Sequence, residues 1–200
     1  METLVSLAVG LGLAAACGFR VFVPLLALSL AARSGSVPLS AGFDWVASDA
    51  AMVAFGSATV LEVIAYYIPW LDHALDVVAT PAAIAAGVVT SASVFADLPP
   101  LLRWTAALVG GGGMAALIQG STVALRAGST AATAGMGNGV VATGELAGSM
   151  IISLLALVLP FVAVVVALAF AWIVFRVARR ILRRSPPPVK AWESSASDRP

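Results

Sequence analysis

The stretch Leu61-Glu62-Val63-Ile64-Ala65-Tyr66-Tyr67-Ile68-Pro69-Trp70-Leu71-Asp72-His73-Ala74-Leu75-Asp76 decides how the chain is read. It puts an acid inside an apolar run, follows it with a helix-ending proline, and then crowds three more ionisable groups into residues 72–76. The whole chain of 200 residues holds 11 Lys and Arg and 10 Asp and Glu. The stretch is therefore a concentration of charge in a sequence that otherwise avoids it.

Hydrophobic residues make up 60% of the chain and charged residues 10%, and the mean hydropathy is +1.01. Soluble domains average about 45–50% apolar and about 25% charged. A chain of 20.2 kDa cannot bury this much apolar surface in one aqueous core, so lipid has to cover it. The apolar runs are continuous rather than alternating, which argues against a barrel. The expected fold is an all-α, polytopic helical membrane domain over residues 1–184, with a polar, disordered tail over 185–200. The formal net charge of +1 argues against nucleic acid as a partner. The lone Cys17 sits in an apolar run and reads as a small packing residue. Glu2 stands where a signal peptide would carry basic residues, so the first apolar segment is expected to remain as a span.

A spanning helix takes about 20 apolar residues. Residues 3–32 exceed this and are interrupted by Gly18-Phe19-Arg20 and by Pro24, which predicts a kink or an unwound turn. Residues 33–49 are a polar connector, and 50–68 form a span that carries Glu62. Residues 70–80 read as an interfacial segment, with Tyr66, Tyr67 and Trp70 at headgroup level. Residues 81–98 and 102–125 form two more spans, and 127–139 read as a loop. From about 140 to 175 the chain is too long for one untilted span. It reads as one long kinked helix or as a half-helix followed by a full one, broken near Pro160. The basic cluster Arg176, Arg179, Arg180, Arg183 and Arg184 assigns the C-terminus to the cytoplasm of a bacterial inner membrane. Counting back through five spans puts the 33–49 connector on that same side and residues 70–80 outside.

Five positions stand out chemically. Arg20 lies near the middle of the first span, where an arginine costs about 2.5–3.5 kcal/mol on insertion scales. It reads as an anion contact, as the partner of a carboxylate (Glu62 first, then Asp72 or Asp76), or as a cap on freed carbonyls. Glu62 lies seven residues before Pro69, roughly 10 Å below the helix end, and reads as a proton carrier, a cation ligand or Arg20's partner. Asp72, His73 and Asp76 share a helix face at i, i+3 and i+4. That spacing suits a divalent cation or a proton relay, and equally a solvated turn. Glu145 is a further lone acid near the start of its span. Arg20 with Glu62, and Arg126 with Glu145, also form a weak antiparallel sequence symmetry of the kind found in inverted repeats. Gly110–Gly113 with Ala106, Ala107, Ala115 and Ala116 make a smooth surface for close helix contact, within one subunit or across a homodimer.

Gly12-Leu13-Ala14-Ala15-Ala16-Cys17-Gly18-Phe19-Arg20, Leu61-Glu62 through Ile68-Pro69, and Asp72-His73-x-x-Asp76 together resemble a family of small bacterial membrane proteins described only as a domain of unknown function. The resemblance covers most of residues 3–180. It implies an all-helical membrane fold and no established activity, and Tyr66 stands where it leads one to expect an acid. The expected function is a small homodimeric transporter or channel with a charged intramembrane path through Arg20, Glu62, Asp72, His73, Asp76 and Glu145. Its substrate would be an ion, a proton-coupled solute or a small anion. The alternatives are an intramembrane enzyme acting on a lipid or prenyl headgroup, with a metal on Asp72, His73 and Asp76, and a non-catalytic scaffold.

Overall fold

The computed structural model describes residues 2–182, with side chains described for all of these except 69–77, 181 and 182. The expected tail, 185–200, lies outside the described residues. The elements are α1 (Glu2–Cys17), α2 (Phe22–Arg33), a short 3-10 turn (Asp44–Ala47), α3 (Asp49–Ala65), α4 (Pro69–Val94), α5 (Pro100–Ala106), a π-helical segment (Ala107–Gly112), α6 (Gly113–Thr133), α7 (Asn138–Val158) and α8 (Pro160–Leu182). No strand occurs among the described residues. The chain is an all-α membrane protein, with three helical stretches long and apolar enough to cross a bilayer: Pro100–Thr133, Asn138–Val158 and Pro160–Arg180.

The first apolar stretch does break at its glycine and arginine. α1 has 16 residues and α2 has 12, about 24 and 18 Å at a rise of about 1.5 Å per residue. Each is shorter than the roughly 30 Å apolar thickness of a bilayer. The two helices form a hairpin. Glu2, Val5 and Ser6 from the start of α1 line one cavity with Ser36, Val37 and Pro38 from just beyond α2. Asp97 and Pro160 line that cavity too, so the ends of α4 and α7 lie at the same end of the bundle. The hairpin thus enters and leaves at one end, and its tip, residues 18–21, sits inside.

α1 is the post around which the bundle is built, touching α4, α6, α7 and α8. Leu13 through Cys17 are completely buried. Four neighbours can surround one helix because its side chains are small. A Cβ on Gly12 would come within 2.8 Å of the Ala156 Cβ. The same logic joins α4 to the π segment, where a Cβ on Gly87 would meet the Gly111 carbonyl at 2.9 Å. The Gly110–Gly113 surface is therefore used inside the subunit. Large apolar side chains such as Leu154, Val158, Val165 and Ile173 are exposed on the outside, where lipid covers them. Small residues inside and large ones outside is the pattern expected where helices gain nothing from hiding apolar surface from lipid and associate through close packing.

The structure departs from the sequence reading in four places. Residues 70–80 and 81–98 are not an interfacial segment and a separate span, because α4 runs unbroken through Pro81. A single proline removes one amide, which a membrane helix tolerates. The loop expected over 127–139 contracts to 134–137. The polar residues that suggested it stay helical by bonding back along the helix, Thr133 Oγ1 donating to the Ser129 carbonyl at 2.8 Å. Ala134 and Gly135 then turn the chain with φ of 53° and 88°. The stretch 140–175 becomes two complete helices of 21 and 23 residues, broken at Leu159 because Pro160 starts α8. Finally, the 33–49 connector and the end of α8 lie at opposite ends of the bundle. α1 with α2 makes no net crossing, and the last stretch crosses twice.

This arrangement has a direct test. In a chain with Cys17 replaced by Ala, single cysteines at Ser36, Met136 and Arg180 are expected to react with an impermeant maleimide from two sides. Met136 and Arg180 should share one side and Ser36 should take the other. Labelling of Ser36→Cys and Arg180→Cys from the same side would refute the hairpin.

Candidate functional site

The hairpin tip exists because α1 runs out at Gly18. Its amide, with those of Phe19 and Arg20, still bonds back to carbonyls of residues 14–16, and the chain then reverses. Glycine is required at 18, since a Cβ there would lie 2.6 Å from the Ile118 Cβ and 2.7 Å from the Ala115 carbonyl oxygen. The tip is thereby pressed against α6, and Arg20 is directed into the bundle with only 2% of its surface exposed.

α2 then starts without a side-chain cap of its own. Its first amides are answered from α3. Val21 N donates to Glu62 Oε1 at 2.8 Å and Phe22 N to Glu62 Oε2 at 3.1 Å. A helix start leaves amides unbonded and carries partial positive charge, so one carboxylate satisfies both needs. Glu62 is therefore a cap supplied across the fold, and the expectation that it is Arg20's first partner is corrected. Its oxygens are taken by backbone.

Arg20 turns instead to α7. Its Nη2 donates to the Ala142 carbonyl at 2.8 Å and lies 3.5 Å from Glu145 Oε2. The same carboxylate is gripped from α6 by Arg126, through Nε to Oε1 at 2.8 Å and through Nη2 to Oε2. That bidentate fork fixes Glu145, and both members are buried. Tyr66 completes the cluster: the Arg20 guanidinium carbon lies 3.7 Å from its ring centroid and that of Arg126 lies 4.3 Å away. The electron-rich ring face stabilises both cations where water is scarce. Tyr66 is buried, not at headgroup level as expected, whereas the exposed Tyr67 bonds to Thr143 with 2.8 Å between hydroxyl oxygens.

The structure thus brings together Arg20, Glu62 and Glu145 of the expected residues, from the hairpin tip, α3 and α7. Asp72, His73 and Asp76 fall in the helical start of α4, and their side chains lie outside the described residues, as does the metal site expected of them. Among the described residues there is no cluster of three His, Cys, Asp or Glu that could hold a metal. Two members were not named as site residues. Arg126 was paired with Glu145 only as a mark of sequence symmetry, and Tyr66 was read only as an interfacial aromatic. The signal for Arg126 was its spacing from Glu145, one helical hairpin away in a region otherwise free of charge. The two Arg–Glu pairs behind the suspected internal repeat are not equivalent in the fold, because both arginines converge on Glu145. One charge feature of the cluster is left open chemically: Arg20 Nε and Nη1 are buried without a hydrogen-bond partner.

A family model described as a domain of unknown function (DUF4126) matches residues 7–180, and the chain belongs to that family. No curated protein and no solved structure matches it.

The two carboxylates do different work, and substitution separates them. Glu145→Gln leaves two buried guanidiniums facing an amide, a loss of about 3–5 kcal/mol for a broken buried pair, read as a large drop in thermal stability of the purified protein. Glu62→Ala removes a cap, about 1–2 kcal/mol. Its effect should be local, as faster hydrogen exchange at the start of α2 with the rest of the bundle protected. Equal and global losses from both changes would overturn the division of roles.

Proposed function

We propose that the protein is a small transporter or channel whose solute path passes the tip of the α1–α2 hairpin, and that its cargo is a small anionic solute. The observation that carries this reading is Arg20, a 98%-buried cation (2% exposed) at a chain reversal inside the bundle, with two nitrogens unbonded. A buried polar group left unpaired costs about 1–3 kcal/mol, and more when charged. Irregular backbone at membrane depth is tolerated where it is shielded by protein or lines a path, and transporters place broken helices and their charges at such points. An oxyanion arriving at the tip would satisfy the arginine, and the flat guanidinium suits it better than an ammonium.

A second reading keeps some support. The bidentate Arg126–Glu145 pair and the amide-bound Glu62 are closed interactions, as a structural brace in a scaffold subunit would have. The proposed location is the bacterial inner membrane. The exposed Arg176, Arg179 and Arg180 support a cytoplasmic C-terminus, and with the two at opposite ends of the bundle the 34–48 connector would then lie outside. That reverses the side first assigned to the connector.

Uptake of labelled phosphate, acetate and chloride into proteoliposomes tests the transport reading. Parent protein is expected to raise the rate for at least one of the three. Arg20→Gln is expected to lower it at least tenfold, and Arg20→Lys to restore little of it, with the detergent-solubilised protein still monodisperse and helical. Uptake unchanged in Arg20→Gln would leave the scaffold reading in possession.

A further inference from the structure

On the face of α6 away from the hairpin tip, α6 and α8 leave a groove of about 530 Å³ along the outside of the bundle. Its floor is small (Ala116, Gly120 and Ala124) and its far wall is large and apolar (Leu168, Trp172 and Phe175). Above Gly120 there is no atom within 4 Å of where a Cβ would stand. From Ala116 to Ala124 the floor runs eight residues, about 12 Å, close to half of the roughly 30 Å apolar thickness. That is the depth one leaflet's acyl chain occupies.

The groove ends in charge. Trp172 and Phe175 also border a second, shallow pocket formed with Arg176, Arg179 and Arg180. These arginines lie on one face of α8 at i, i+3 and i+4 spacing. Two of them are oriented by rings: the Arg176 guanidinium carbon lies 4.9 Å from the Trp172 ring centroid and that of Arg179 lies 5.4 Å from Phe175. Neither α6 nor α8 contains an Asp or Glu. An apolar slot of one-leaflet depth, capped by aromatics and three cations, matches one ligand chemistry: an acyl chain joined to an anionic headgroup. We infer that the α6–α8 groove is a binding site for a single acidic phospholipid, with the chain along Gly120 and the phosphate on Arg176 and Arg179.

Charge decides against a second copy of this chain as the occupant. Two protomers related by a two-fold axis along the membrane normal present the same ends to each other. Such a pairing would set arginine cluster against arginine cluster, with no acid on either helix to answer them, and like charges brought together disfavour the contact. An acidic lipid gains from the same cluster, since each Arg near the surface attracts its headgroup.

The test uses the full chain in phosphatidylcholine vesicles doped with a small fraction of phosphatidylglycerol or phosphatidylcholine brominated on the acyl chain. Bromine quenches tryptophan on contact, and the Trp172 share of the signal is obtained by difference from Trp172→Phe. Brominated phosphatidylglycerol is expected to quench that share at a mole fraction more than tenfold lower than brominated phosphatidylcholine. Replacing Arg176 or Arg179 with Gln should cut the preference about fivefold each, the factor that corresponds to about 1 kcal/mol. Gly120→Leu adds its side chain where a Cβ has no atom within 4 Å, so it should fold normally, as thermal unfolding will report, and should abolish the preferential quenching. Equal quenching by the two lipids, or a preference that survives Gly120→Leu, overturns the site. So does oxidative cross-linking of Gly120→Cys between copies in a chain lacking Cys17, which would put a second protomer in the groove.

Discussion

Everything inside this bundle depends on one carboxylate that two guanidiniums share. Arg20 and Arg126 approach Glu145 from different helices, and the Tyr66 ring lies against both cations. In water such a trio would contribute little. In a lipid-covered bundle an unanswered guanidinium is costly enough to decide which helices can be neighbours. Glu145 fixes α7 against both α6 and the hairpin tip, and once α7 is placed, α1 is enclosed. The small residues along α1 follow from this arrangement. A helix surrounded by four others has room for glycine and alanine and for little else.

Glu62 belongs to the same region but to a different kind of interaction. Its two oxygens take the first two amides of α2, so the acid holds a chain reversal and Glu145 holds a charge balance. The distinction matters for the cluster's chemistry. A carboxylate bonded to backbone is a geometric element, and loosening it lets the tip move. A carboxylate shared by two cations is an electrostatic element, and losing it leaves charge unanswered.

Much of this was legible in the sequence, and the rest was hidden for identifiable reasons. The all-α membrane class followed from composition, and the interruption at Gly18-Phe19-Arg20 was visible as an anomaly in an apolar run. That the interruption reverses the chain was not visible, because a kink and a hairpin have the same local residues and differ only in what receives them. The lone charges were correctly suspected, yet their pairing was misassigned. Glu62 is nearer to Arg20 in sequence than Glu145 is, and nothing in a one-dimensional pattern says that backbone amides will claim it first. Residues 129–133 resembled a loop because a list of residue types cannot show the Thr133 hydroxyl bonding to its own helix or Thr130 bonding across to Asn138. Arg126 was read as a symmetry mate of Glu145, and Tyr66 through the general rule for interfacial aromatics, and burial is what overrides such readings.

The separation of Arg20 from its carboxylate along the chain has a consequence for how the protein is made. A ribosome delivers Arg20 early and Glu145 another 125 residues later (145 minus 20). Glu62, which holds the tip of the same hairpin, emerges in between. The nascent protein therefore passes through a stage in which the tip is docked on α3 while its arginine still lacks a counter-ion. During that stage the arginine has to stay near water or in the care of the insertion machinery, and α7 is the segment whose arrival lets it turn inward. The inward turn of the tip is thus tied to the emergence of α7.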